Sequence, residues 1–200
     1  MNRILGGEAM NAGSLIRTAR KSRRLTQGAL GRRAELSQSH LSLIERGHQN
    51  PSYDAVERAL RATGHRLIAV PSVRDDAAAV AADIRFAVLD GRDDRALRRF
   101  IQLSDNLLAE HGAVRFALTI SEPESSGSKQ WDAAIAALVA HHLVAEGLPI
   151  PDWANSPARS LRRRWAVGEG PYTLVPELHR VPPEFLRRGV LIDADTLVSV

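Results

Sequence analysis

Leu25 to Gly47 reads LTQGALGRRAELSQSHLSLIERG, and this string decides the fold of the first third of the chain. Thr26 and Ser37 are helix-capping residue types, because their hydroxyl oxygens can accept from the free backbone N–H groups of a first turn. Each stands directly before a short segment carrying apolar residues at helical spacing. Leu30 lies in the first, expected over Gln27 to Ala34, and Leu41 and Ile44 (i, i+3) lie in the second, which Gly47 stops. Two short helices joined by a tight turn follow.

The same signals recur on both sides. Ser14 is read as the cap of a helix with Leu15, Ile16 and Ala19 on one face, ending near Arg23 and Arg24. Ser52 caps another over Tyr53 to Thr63, with Val56, Ala59 and Leu60 inward and Gly64 as its stop. Met1 to Ala12 shows no periodicity and is expected to be a disordered tail, with Met10 as an alternative start. Leu67 to Val70, between a glycine and Pro71, reads as a short strand. The domain boundary is placed near residue 72, giving domains at 13–71 and 72–200.

Beyond the boundary, Asp75 to Asp94 is either a linking helix or the boundary itself. Arg95 to Glu110 is helical in period, and Ser121 to Lys129 (SEPESSGSK) is a loop. Trp131 to Glu146 is a helix with Ala134, Ile135, Leu138, Val139, His142 and Leu143 on one side and Gly147 as its stop. Prolines at 149, 151, 157, 171, 176, 182 and 183 forbid long helices over 148–183, leaving a turn or two around Leu161 to Trp165. Gly168 to Pro171 reads as a turn. A short helix at Pro183 to Arg188, a strand-like Val190 to Ile192 and a last turn at Asp193 to Val198 close the chain. The fold class is mainly α, with a little β in the second half.

Composition narrows the chemistry. The 200 residues contain no cysteine, which removes disulfides, thiolate zinc sites and cysteine nucleophiles. The longest apolar run, Ala133 to Ala140, is far short of the roughly 20 residues of a membrane span, and no secretion signal opens the chain, so a cytoplasmic protein without membrane contact is expected. Charge is unevenly divided. Residues 1–70 carry 12 Lys or Arg against 5 Asp or Glu, whereas residues 71–200 carry 15 against 18. A basic first domain points to a polyanionic partner. His141 and His142 are adjacent and diverge by about 100° on a helix, and His111 and His179 have no ligand spacing, so no metal is expected. Neither G-x-S-x-G nor a P-loop nor G-x-G-x-x-G occurs. No catalytic residue and no cofactor are expected, and the chain is read as a non-enzyme.

A DNA major groove, about 12 Å wide, admits one helix, and a reading helix needs small polar residues at its exposed N-terminal end. Ser37, Gln38, Ser39 and His40 make such an end. Gln can bond adenine N6 and N7 together, Ser can donate or accept, and Leu43 supplies an apolar contact for a thymine methyl. Backbone amides at the two helix N-termini, with Thr26, Gln27 and Asn50, suit phosphate oxygens. Arg17, Lys21, Arg23, Arg46 and His48 add positive charge.

The spacing of Leu25-Thr26-Gln27, Leu30, Ser37, Leu41, Ile44-Glu45-Arg46-Gly47 and Asn50-Pro51-Ser52 resembles the helix-turn-helix of the Xre/Cro–CI repressors over residues 13–64. The resemblance implies a lambda-repressor-like domain of four or five helices, a sequence-specific regulator on the nucleoid, double-stranded DNA with a palindromic operator, and a homodimer. It also implies that Arg20 pairs with Glu45 to set the angle of the recognition helix. Three residues depart from the family's pattern: Glu35 stands where the tight turn has glycine, Gly28 and Gly31 lie within the second helix, and Ala29 leaves the capping box half made.

The second domain lacks the Ser–Lys dyad of self-cleaving repressors, since Lys129 is the one lysine beyond Lys21 and no serine precedes it at suitable spacing. Trp131, Trp153 and Trp165 are read as core anchors, with a half-exposed Trp as an interface alternative, and Arg162-Arg163-Arg164 as a solvated face or an anion contact. The Trp131-Asp132 helix, Gly147 to Trp153 (GLPIPDW) and Pro182 to Asp193 (PPEFLRRGVLID) resemble the C-terminal region of Xre-type proteins from high-GC bacteria, some of them antitoxins. That likeness implies an autorepressor that binds a toxin protein. A small-molecule sensor and an adaptor without DNA binding are the alternatives.

Overall fold

The computed structural model describes residues 12–168 and 176–197, and the chain divides into two compact units, one up to Ala69 and one from Val70. Residues 1–11 of the tail expected over 1–12, the turn residues 169–171 and Val198 lie outside the described residues, whereas Ala12 is helical and does not belong to a tail. The architecture is mainly helical.

In the first unit, α1 (Ala12–Ser22), α2 (Gln27–Ala34), α3 (Gln38–Glu45) and α4 (Tyr53–Ala62) pack around Ile16, Leu30, Leu41 and Ile44, which have no exposed surface. Thr26, Ser37 and Ser52 accept from the N–H groups of Ala29, His40 and Ala55 at 3.1, 3.1 and 3.2 Å. Each hydroxyl thereby satisfies a first-turn donor that the helix leaves free. Ser14 does not cap α1. The helix already runs from Ala12, so Ser14 sits inside its first turn.

The turn from α2 to α3 is held by one carbonyl. Gly31 O accepts from both Glu35 N and Leu36 N, and Glu35 takes the left-handed conformation at φ 55°. A Cβ on Gly31 would stand 2.6 Å from Leu36 O. The glycine that helix propensity alone counts as a cost is therefore the residue that lets the chain turn so closely.

No strand forms at Leu67 to Val70. These residues have irregular backbone, and Leu67 and Ile68 are 43% and 75% exposed. A strand needs a partner for its backbone groups, and the sheet among the described residues lies elsewhere.

The second unit contains α5 (Ala77–Leu89), α6 (Asp93–Ala109), α7 (Gly112–Ile120), α8 (Lys129–Ala145), α9 (Asp152–Asn155) and α10 (Pro183–Leu186). A two-residue parallel sheet pairs β1 (Trp165–Ala166) with β2 (Val190–Leu191). α8 is the axis of this unit. Every residue from Ala133 to Ala140 is buried, and α5, α6, α7, α9 and α10 all pack on it. The one-sided face read from its sequence is thus too narrow, because alanines at 133, 134, 136, 137 and 140 let neighbours approach on every side. α5 packs along α6, so residues 77–89 belong to the core and form neither linker nor boundary. The helical turn expected at Leu161 to Trp165 is replaced by extended pairing: Leu161 N donates to Arg188 O and Trp165 N to Gly189 O, both at 2.9 Å. α7 has no counterpart in the periodicity reading.

Trp131 and Trp153 are buried and Trp165 is half-buried. Trp131 meets Phe100 and Trp165 at ring distances of 5.7 and 5.3 Å, and Trp153 Nε1 donates to Thr119 O at 3.0 Å. The Ser104 hydroxyl donates to Leu197 O at 2.6 Å and so accepts from His142 Nε2 at 2.9 Å, which sets the ring's tautomer. Burial, reinforced by His141 and Arg115, lowers the pKa of His142 to about 4, and the ring is neutral at pH 7. Among the described residues no helix is long and apolar enough to cross a membrane, and no group of His, Asp and Glu could hold a metal ion.

Candidate nucleic-acid interface

The interface starts from a buried clamp. Arg20 Nε and Nη2 donate to the two carboxylate oxygens of Glu45 at 2.7 and 2.8 Å, while Nη1 donates to Leu25 O at 2.7 Å. One guanidinium thus joins α1, the loop that leads into α2 and the last turn of α3. The bidentate fork fixes orientation as well as distance. Burial pushes the Glu45 carboxyl up, but hydrogen bonds from Arg20 and Gln27 and the charges of Arg20 and Arg17 outweigh it and hold the group below the usual range. Its hydrogen bonds to Glu45 raise the Arg20 pKa against the opposing effect of burial.

Gln27 lies at the start of α2, and its Nε2 donates to Glu45 Oε2 at 2.9 Å. That bond uses one of the two N–H donors of its side-chain amide, and Gln27 lines the cleft above the clamp. Arg17, Lys21, Gln27, Ser42 and Arg46 line one open cleft of about 260 Å³ over the clamp. Arg17 and Lys21 are exposed and one turn apart on α1, and Arg46 Nε donates to Ser42 O at 3.1 Å. Thr26, His48 and Asn50 are exposed but do not line the cleft. Arg23 is engaged elsewhere. Its Nε donates to Thr63 O at 2.9 Å, closing the C-terminal end of α4.

On α3, Ser37, Gln38 and Ser39 are exposed, His40 is half-buried, and Leu43 keeps 38% of its surface. The Ser37 hydroxyl caps His40 N and lies 3.1 Å from Ser39 Oγ, so these two serines form a small hydroxyl pair at the helix tip. Gln38 and Ser42 stand one turn apart, as do Ser39 and Leu43. Ser42 is not among the residues that the polar helix end singles out in the sequence, although its i+4 relation to Gln38 puts it on the same face. The result is a polar helix end beside a basic cleft, both carried by helices whose angle Arg20 and Glu45 set.

Comparison with known proteins meets this geometry on the same stretch. Residues 12–65 match the helix-turn-helix domain family. An immunity repressor protein of Bacillus phage phi105 is 41% identical over 61 residues, a match that covers 30% of this chain and 42% of that repressor. The similarity therefore spans less than half of the repressor's length. No solved structure matches the chain significantly. The capped helix pair and the left-handed turn at Glu35 thus lie in the stretch, residues 12–65, that is similar to the helix-turn-helix domain family.

Proposed function

We propose that this chain is a sequence-specific DNA-binding transcriptional repressor that reads base edges with Gln38, Ser39 and Leu43, assisted by Ser37 and His40. The observation that carries this reading is the exposed polar tip of α3 beside the cleft of Arg17, Lys21 and Arg46. Thr26, Gln27, His48 and Asn50 supply further backbone or side-chain contacts to phosphate. One recognition helix reads too few base pairs for a unique site, so the protein binds as a homodimer to a two-fold operator with half-sites about 34 Å apart. Such a site upstream of its own gene makes it an autorepressor. The second unit is read as the dimerising and partner-binding half, a role in line with its likeness to antitoxins. Phe86 and Leu89, 52% and 71% exposed and one turn apart on α5, support a protein-docking face there.

The test begins with selection of a binding site from random DNA by the full chain. Gln38→Ala with Ser39→Ala is expected to bring affinity for the selected site down to that for random DNA, each lost base contact costing about 1–3 kcal/mol. Arg17→Ala with Lys21→Ala is expected to weaken both equally and to flatten the salt dependence. A double reader variant that still discriminates as the wild type does refutes the assignment of α3.

A further inference from the structure

In the second unit, most arginines outside one stretch have an acid beside them. Arg74, Arg85, Arg98, Arg99, Arg159 and Arg180 each meet an Asp or Glu side chain. One cluster does not follow this pattern. Arg162, Arg163 and Arg164 are consecutive and exposed, and with Lys129 they line an open groove of about 560 Å³ whose apolar wall is Leu161 and Trp165. Among the described residues, none of these four cations meets a carboxylate, and no acid lines the groove.

The packing that creates the groove is specific. Leu161 N and Trp165 N are tied to Arg188 O and Gly189 O, so the intervening arginines are held on a loop anchored at both ends. Trp165 packs edge-on against Trp131 of α8, which brings the loop to the helix that carries Lys129. The first-turn acid of α8, Asp132, is turned away into bonds from Ser125 Oγ and Ser126 N, both at 2.7 Å. Four like charges are thereby gathered with no acid among the described residues lining their groove, in a unit whose overall charge is negative.

We propose that this groove binds a polyphosphate chain, with the three guanidinium groups and Lys129 on the phosphoryl oxygens and Trp165 against an attached apolar or ring group. Guanidinium forks match phosphoryl oxygens in geometry, and an open, arginine-lined groove with an aromatic wall is the arrangement that takes phosphate and base together. The required chemistry is shared by a free nucleoside polyphosphate and by a single-stranded nucleic-acid backbone. This inference is independent of the reading of α3.

The three tryptophans, at 131, 153 and 165, all lie in the second unit, so tryptophan emission of the full chain reports this unit and not the helix-turn-helix. The full chain is titrated at low ionic strength with inorganic tripolyphosphate, with a nucleoside triphosphate, with a short single-stranded oligothymidylate and with an oligoglutamate peptide. A saturable emission change is expected with the phosphate probes, weakened about tenfold or more in Arg162→Ala/Arg163→Ala/Arg164→Ala and unchanged in Arg17→Ala/Lys21→Ala. Tighter binding of the triphosphate marks a free nucleotide as the source, and tighter binding of the oligothymidylate marks a nucleic-acid strand. If the triple variant unfolds early, Arg163→Glu alone provides the comparison. No saturable change with any phosphate probe, equal affinity in the arginine variants, or preference for oligoglutamate overturns the proposal.

Discussion

Replacing Arg20 by alanine tests how the first unit is held together. The Glu45 side chain is 3% exposed and that of Arg20 12%, so the substitution leaves a buried carboxylate with Gln27 as its remaining donor. Removing one member of a buried pair costs about 3–5 kcal/mol, and the surviving Gln27 bond brings the expectation to the lower end, about 3 kcal/mol. Hydrogen exchange of peptides from residues 12–65 reads this directly, as acceleration of the slowest amides by roughly a hundredfold. The pH dependence supplies a signature. In the wild type the Glu45 pKa is depressed, so its contribution is present above the ordinary carboxylate range, near 4.5, and is lost as pH falls through its folded value. Without Arg20 the depression is lessened while the burial that pushes the carboxyl up remains, so protonation relieves the stranded charge and the gap between variant and wild type narrows from pH 7 to pH 4. Arg20→Met with Glu45→Leu should recover most of the loss, because no buried charge is left unpaired. If the double variant is as unstable as Arg20→Ala, or the gap does not change with pH, the cost does not come from an orphaned carboxylate and the reasoning fails.

Gly31→Ala and Gly28→Ala should have opposite signs. A Cβ at 31 meets Leu36 O at 2.6 Å and should cost about 1–3 kcal/mol, whereas at 28 its nearest neighbour is Gln38 Oε1 at 3.6 Å and helix propensity should add up to about 1 kcal/mol. Thermal unfolding of the two variants checks this. Glu35→Gly should stabilise by about 1 kcal/mol by relieving the left-handed backbone at φ 55°, since its 3.7 Å pairing with Arg58 is solvent-exposed and weak. An equal or lower melting temperature would show that the turn is not strained. His142, with its pKa lowered to about 4, binds a proton more readily in the unfolded chain, so stability is full above pH 6.5 and falls by about 3 kcal/mol on acidification to pH 4. Urea titrations followed by tryptophan emission should show this slope in the wild type and a flatter one in His142→Gln.

The helix-turn-helix was legible because its signals are short-range. Thr26, Ser37 and Ser52 cap helices through hydroxyls acting on backbone three residues away, and Leu30, Leu41 and Ile44 repeat within single helices. The second unit was less legible for the opposite reason. α8 is apolar on every face, so no amphipathic stripe shows which neighbours cover it, and the isolated run at Leu67 to Val70 resembles a strand until its lack of a partner is seen.

By itself the sequence determined the capped helices, the basic character of the first domain and the polar tip of α3, since each depends on residues within a turn or two of one another. Tertiary structure alone decided that the Gln27 amide serves Glu45, that Gly31 is needed for the approach of Leu36 O, and that Lys129 shares a groove with Arg162 to Arg164. These outcomes join residues from separate elements. Which side chains meet there is set by how whole helices and strands pack, and no local spacing encodes it.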